Sequence, residues 1–456
     1  MRMDDGTSRR RRLPAGDLTR GMLAVVVVWA ITLCAMPAAT AQVTGSVPPV
    51  GKPWSGESGA SGHPEMMAAA IREAAANFPR CLASLWPQAA KRGISRASFD
   101  AATVGLQPDL RIMDLMDSQP EFTKSFWDYL EVLVTDARIQ KGRDLLSQHR
   151  AVFDRVEHAY GVDRYVLAAI WGVETNYGTL AGGRSVLRAT ATLACIGRRQ
   201  TYFREELLIA LEILHRRDVR PDHLVGSWAG AFGGTQFMPR TFKRFAVDFD
   251  GDGRRDIVDS LPDMLASTAN MMKVNGWIAG HSWGYEVVVP ATLDFRLADR
   301  SHTMTLRDWQ RHGVVRVNRS AFPRLDDRAY LLMPAGIQGP GFLMTHNFRV
   351  IMRYNPAEAY ALAIGHLADR LRGGPAFVQD WPRYERVLSR AERLELQQLL
   401  ARHGYDVGEP DGRLGSRTRA AIRAFQAQTG QVPDGFASTA VLQRLRGDRG
   451  HVQARQ

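Results

Sequence analysis

From residue 64 to about residue 217, apolar side chains recur three and four positions apart almost without a break, as in Leu207-Leu208-Leu211-Leu214. That period matches the 3.6-residue turn of an α-helix and not the two-residue alternation of a strand. The first half of the folded chain must therefore be a helical assembly. The pattern changes over 285–353, where 285–290, 329–333 and 342–353 have strand-like composition, bounded by Pro334-Ala335-Gly336 and Gly339-Pro340-Gly341; strands are expected there. A helix is expected over 356–371. Gly373-Gly374-Pro375 then opens a linker running to 389, and a last compact unit fills 390–447. The fold class that follows is mainly α, with a strand-bearing stretch over 285–353 and a separate compact unit at the end.

At 456 residues the chain is long enough for two or three domains. With 45% hydrophobic and 23% charged residues it is an ordinary globular sequence, which excludes wholesale disorder and a polytopic membrane protein. A net charge of +12 favours an anionic partner without choosing among nucleic acid, an acidic polymer and a membrane surface. The first 41 residues narrow the choice. Arg9 to Arg12 and Arg20 precede an apolar run over 22–36, and Ala39-Thr40-Ala41 offers the small residues of a cleavage site before Gln42. A signal peptide over 1–41 is expected, with no stable membrane span after processing, because so short a run suits a leader better than a span. Sec and Tat export both remain open. Gly, Ser and Pro over 42–62 suggest a flexible tether. Export leaves Cys81 and Cys195, which either close a disulfide or sit as two buried thiols.

One acid stands in an unusual place. Asp163 can cap a helix running through Val166, Leu167, Ile170, Trp171 and Val173 to Glu174. At 100° per residue, Glu174 lies roughly 20° from Leu167 and roughly 40° from Ile170 around the axis, on the apolar face. Burial without a cationic partner favours the neutral carboxyl, and the negative end of the helix dipole near Gly178 acts in the same sense. A carboxyl that keeps its proton near neutral pH suits general acid catalysis; a buried Glu paired with an arginine is the structural alternative. Downstream, Asp248-Phe249-Asp250-Gly251-Asp252-Gly253-Arg254 has the rhythm of a calcium loop: acids at positions 1, 3 and 5, Gly at 6 and the Arg254 carbonyl at 7. Asp259 at position 12 is shorter than the usual Glu, and a solvated Asp-Gly turn is the alternative.

Val173-Glu174-Thr175-Asn176-Tyr177-Gly178 resembles the catalytic motif of the membrane-bound lytic murein transglycosylase B family. Three further segments are similar to that family in the same order. They are Ala191-Thr192-Leu193 with Arg198-Arg199, the run from Gly226-Ser227-Trp228 through Gly230, Gly233 and Gly234 to Gln236-Phe237-Met238-Pro239, and Arg353-Tyr354-Asn355. The resemblance implies a lysozyme-like, goose-type α+β catalytic domain over 63–372. It implies Glu174 as the single acid and base, with Ser227, Gln236, Tyr354 and Asn355 holding sugars and acetamido groups. Arg198 and Arg199 would meet the stem peptide, and an acid in the segment at Asp263 would close the cation loop of Asp248, Asp250, Asp252 and Arg254. Trp228, Phe232 and Pro356-Ala357 depart from the family pattern and bear on subsite shape.

The last unit resembles peptidoglycan-binding domain 1, a three-helix module, through Leu396-Gln397-Gln398-Leu399-Leu400, Gly404-Tyr405, the segment from Pro410-Asp411-Gly412 to Gly415, Phe425-Gln426 and Asp434-Gly435. Leu396, Leu399, Leu400, Ile422 and Phe425 are its expected core. The expected function is that of an exported, periplasmic and monomeric lytic transglycosylase. It would act on peptidoglycan glycan strands, with a structural Ca²⁺, no organic cofactor and no nucleic acid. A hydrolytic muramidase and a silent wall-binding scaffold are the alternatives.

Overall fold

The computed structural model describes residues 53–59, 62–116 and 124–447. The expected signal peptide lies outside the described residues, as does the first part of the expected tether. Residues 53–59 of that tether are held to the body. The Ser55 backbone N–H and hydroxyl both donate to the Asp114 carboxylate, at 3.0 and 2.7 Å, and Arg72 lies over the Trp54 ring. Among the described residues, no helix is long and apolar enough to cross a membrane.

The helical reading of the first half holds, interrupted mainly by a two-residue strand, Arg184–Ser185, paired antiparallel with Val225–Gly226. At the centre is the helix Arg164–Thr175, whose Asp163 side chain accepts from the Tyr165 N–H at 2.8 Å and so caps it. Every residue from Val166 to Thr175 is buried. A helix apolar on all sides must be enclosed, and Asp136–Gln148, Arg150–Tyr160, Leu261–Val274 and Glu358–Arg372 surround this one. A second core lies between the helices of 68–116 and the pair Val186–Cys195 and Gln200–Arg216. Cys81 and Cys195 form a disulfide there, Cα to Cα 6.0 Å across 114 residues of sequence. That settles the alternatives left by the sequence. Closing so long a loop stabilises the fold by about 5 kcal/mol on the chain-entropy account.

The β-rich lobe is a five-stranded antiparallel sheet in the order Met304–Thr305, Arg328–Leu332, Gly341–Met344, Gly284–Val288, Val315–Arg316. Leu343 faces both Leu331 and Tyr285 across the sheet. One expectation is corrected: 342–353 is not a strand throughout. The strand ends at Met344, and His346–Tyr354 is a helix that buries Asn347, Phe348, Val350 and Ile351. Phe348 and Ile351 are three apart, a helical spacing that the β-branched composition masked.

Residues 373–389, expected as a linker, lie packed along the body. Phe377 stacks on His366 at 3.7 Å and meets Phe342 at 4.8 Å, and Trp381 packs on Trp127. The Val378 and Gln379 N–H groups donate to the Glu286 carboxylate. The terminal module consists of the helices Arg390–Arg402, Ser416–Gln428 and Thr439–Gly447. Its expected core residues Leu396, Leu399, Leu400, Ile422 and Phe425 are all buried.

Candidate active site

Glu174 is the penultimate residue of the central helix and is buried, with 8% of the residue exposed. Its Oε1 accepts a hydrogen bond of 2.6 Å from the Tyr360 hydroxyl, carried by the helix Glu358–Arg372. The Tyr360 ring stacks nearly parallel on Tyr354, with centroids 6.4 Å apart and 10° between planes. Tyr354 in turn donates its hydroxyl to the Thr235 carbonyl. Burial first, and the neighbouring Glu174 carboxylate second, push both phenols well above their ordinary range. Both rings therefore stay protonated and act as donors.

The helix ends abruptly. Asn176, Tyr177 and Gly178 all have positive φ, at 48°, 59° and 84°. For Asn and Tyr that conformation costs on the order of 1 kcal/mol each. It is held by the Tyr177 hydroxyl on the Arg138 carbonyl (3.1 Å), by Lys141 on the Asn176 carbonyl (3.0 Å), and by the Gly178 N–H on the Thr175 hydroxyl (2.9 Å). The chain thus turns sharply away from the helix axis directly after Thr175.

The second signature folds against this end. Thr175 donates to the Gly234 carbonyl at 2.6 Å. A Cβ on Gly234 would lie 2.1 Å from the Met264 sulfur, so a larger residue there would force the Met264 side chain to move. The Thr268 hydroxyl lies 2.9 Å from the Thr235 hydroxyl, and Gln236, itself at φ 54°, donates its amide to the carbonyls of Ala181 and Gly233. Ser227 is buried, its hydroxyl accepting from the Ala231 N–H at 3.0 Å. Asn355 follows Tyr354 and accepts from the Ala357 N–H at 3.1 Å. Glu174 is thus linked through Tyr360 to Tyr354, and Tyr354 through the Thr235 carbonyl to the signature that carries Gln236. Arg198 and Arg199 lie at the junction of Val186–Cys195 and Gln200–Arg216. Arg198 donates to the Met116 carbonyl, and exposed Arg199 lies over the Tyr202 ring at 4.6 Å. Tyr360 was not foreseen, because it sits 186 residues from Glu174 in a helix whose sequence signal is only apolar periodicity.

The expected cation loop converges. One carboxylate oxygen from each of Asp248, Asp250, Asp252 and Asp263 lies within 4.8 Å of the others. Both Asp263 oxygens are held by backbone N–H groups, Oδ1 by Phe249 and Asp250 and Oδ2 by Asp256. The Arg254 side chain turns to Asp252 and Asp256. Asp259 is turned to His223 at 2.6 Å, so Asp263 and not the twelfth loop residue joins the cluster. Four hard oxygen donors at this spacing suit a divalent cation such as Ca²⁺.

Comparison with known proteins follows the same outline. A profile of the transglycosylase SLT domain matches residues 77–369, and one of a peptidoglycan binding domain matches 389–445. Membrane-bound lytic murein transglycosylase B of Escherichia coli is 32% identical over 266 residues, 56% of this chain and 72% of that protein. SltB3 of Pseudomonas aeruginosa, solved in complex with NAG-NAM-pentapeptide and with NAG-anhNAM-pentapeptide, is 46% identical with a TM-score of 0.79. It covers 81% of this chain and 99% of its own. The E. coli lytic transglycosylase Slt35 in complex with calcium is 27% identical with a TM-score of 0.55, covering 65% of this chain and 92% of its own. The first match spans well over half of the sequence, and the chain accordingly belongs to the transglycosylase SLT family, as an enzyme of lytic transglycosylase type acting on peptidoglycan.

Proposed function

We propose that this enzyme is exported to the periplasm and cleaves the MurNAc-β-1,4-GlcNAc bond with Glu174 as its one acid and base. The observation that carries the reading is a carboxyl buried at a helix end and held by a tyrosine hydroxyl. Glu174 first gives its proton to the glycosidic oxygen as the C1–O4 bond breaks. The substrate's own acetamide oxygen shields the positive C1, as in substrate-assisted glycosidases. The Glu174 carboxylate then takes the proton from the MurNAc O6 as O6 bonds to C1. The product is a 1,6-anhydroMurNAc end, and no water is consumed. The NAG-anhNAM-pentapeptide bound by the 46%-identical SltB3 has the chemistry of such a product and supports this outcome over hydrolysis.

Around the reacting bond, Gln236, Ser227, Tyr354 and Asn355 hold the sugars, and Arg198 and Arg199 meet the acidic stem peptide. Asp248, Asp250, Asp252 and Asp263, with the Arg254 carbonyl, would hold Ca²⁺, a reading supported by the calcium complex of Slt35. When bound, the ion would offset about half of the charge of four converging carboxylates. Asp263 opens the helix Leu261–Val274, whose Met264 and Thr268 pack on Gly234 and Thr235. The loop thus props the substrate-holding signature from behind. The test is digestion of purified sacculi followed by mass spectrometry of the released muropeptides. Anhydro ends support this reading, reducing ends a muramidase, and no release a scaffold.

A further inference from the structure

The terminal module is docked on the catalytic body through ion pairs that cross between the two. Arg419 and Arg423 lie one turn apart on the helix Ser416–Gln428. Arg423, with 8% of its side chain exposed, reaches Asp299 at 3.1 Å and the Ala298 carbonyl at 3.3 Å. Both Nη atoms of Arg419 lie 3.3 Å from Oε2 of Glu358, itself 8% exposed, and Arg300 of the body lies 3.5 Å from Oε1. A third contact sits beside these. The Ile337 N–H donates to Asp434 at 3.1 Å, and a Cβ on Gly336 would lie 2.1 Å from the same carboxylate. A module acting only as a tether has no use for such pairs, because a buried charge is costly unless its partner is placed to meet it.

The position of Glu358 gives the contact its meaning. It is the first residue of the helix that carries Tyr360, two residues before the hydroxyl bonded to Glu174. It also follows the 354–357 segment, in which Tyr354 stacks on Tyr360 and the Asn355 side chain accepts from Ala357. A helix moves as a rigid rod over so short a distance, so a shift of its first turn carries Tyr360 with it. We propose that Glu358 is a positioning residue, and that the module, clasped on it through Arg419, holds Tyr360 against Glu174. The module then contributes to turnover at the cleft as well as to attachment at the wall. This rests on the reading of Glu174 as the acid.

The test uses the full-length protein and a soluble NAG-NAM-pentapeptide tetrasaccharide, short enough to occupy the cleft alone. Kinetics are followed by mass spectrometry, and sacculus binding by pelleting. Arg419→Ala combined with Arg423→Ala is expected to lower kcat about tenfold, as a small misplacement of a catalytic hydrogen bond does. KM stays within about twofold and thermal unfolding remains a single transition. Arg419→Lys in the otherwise native chain, which keeps the charge, is expected to retain most of kcat. An unchanged kcat in the double variant, with only pelleting altered, overturns the proposal in favour of a simple tether. A kcat lost equally in Arg419→Lys also overturns it, since charge would then not be what positions the helix. Glu174→Gln is measured alongside: if it turns over like the native enzyme, the assignment of the acid fails, separately from the comparison of module variants.

Discussion

Glu174 and Asp263 are both buried carboxylates, and the groups that hold them differ. Asp263 is fully buried and accepts from three backbone N–H groups, which cannot rotate away and have no second role. Burial raises its pKa in spite of those donors, and Asp250 beside it adds to the rise. Such an acid wants a fixed positive neighbour. Glu174 instead meets a hydroxyl on a side chain. A site built from side-chain donors can accommodate a carboxyl that loses and regains a proton during one turnover, whereas a cradle of backbone donors holds one charge state in place. The same residue chemistry, acid in apolar surroundings, therefore serves structure in one place and chemistry in the other. One difference between them is the donor each meets, a tyrosine hydroxyl at Glu174 and backbone N–H groups at Asp263.

Substituting each acid by its amide tests that division. Glu174→Gln is the larger effect: sacculus turnover is expected to fall about 10³-fold or more, the upper part of what a general acid contributes. Pelleting with sacculi should stay within about twofold, since the module is untouched. Asp263→Asn should show the reverse order of effects. Its amide NH₂ would face a backbone N–H that needs an acceptor, which costs about 2–4 kcal/mol of stability. Calorimetric titration with Ca²⁺ should show affinity at least tenfold weaker, while turnover measured well below the melting temperature falls much less. If Asp263→Asn lost turnover as completely as Glu174→Gln without losing stability, the contrast between the two acids would be wrong.

Much of this arrangement was legible in the sequence, for identifiable reasons. Asp163, the apolar positions of its helix and Glu174 lie within one twelve-residue period, so burial of the acid followed from angle alone. The cation loop is equally local; its closing residue, Asp263, was pointed to by family likeness, and Asp259 was only doubted. Tyr360 was invisible because its partner is 186 residues away and nothing local marks a tyrosine that faces a carboxyl. The helix His346–Tyr354 was misread because Phe342, Leu343 and Met344 form a true strand immediately before it, and composition does not show where a strand stops. The packing of 373–389 was missed for the opposite reason. Gly373-Gly374-Pro375 is a genuine turn signal, but the anchors beyond it, Phe377 and Trp381, find their partners only in three dimensions.

A smaller effect sharpens the role of the hydroxyl at Glu174. Tyr360→Phe keeps the ring, its stack on Tyr354 and nearly all of the buried area, and removes one donor. A hydrogen bond to a charged group contributes about 1.5–3 kcal/mol, so kcat on a soluble fragment should fall roughly ten- to a hundredfold. KM should change little, because Tyr360 is buried. Equal losses in kcat and in binding would instead place the hydroxyl among the groups that hold the sugar.

The smallest expected effect separates loss of fold from loss of chemistry at low pH. His366, 7% exposed and stacked on Phe377, has its pKa pushed down to about 3, by burial first and by Arg370 second. In the unfolded chain it titrates near 6.5. Between those values the unfolded state binds the proton and the folded state does not. The stability this residue contributes is therefore complete above about pH 6.5 and is lost as pH falls toward 3, at up to about 1.4 kcal/mol per pH unit. Glu174 acts in its protonated form in the proposed mechanism, so acid alone should not silence it before the fold gives way. His366→Phe removes the titrating group and keeps an aromatic face for Phe377. Urea unfolding of the variant from pH 7 to 5 should show a shallower fall in stability than the native protein, with activity at pH 5 retained longer on incubation. Parallel stability curves for the two proteins would mean that His366 takes up its proton without opening the contact to the 373–389 segment.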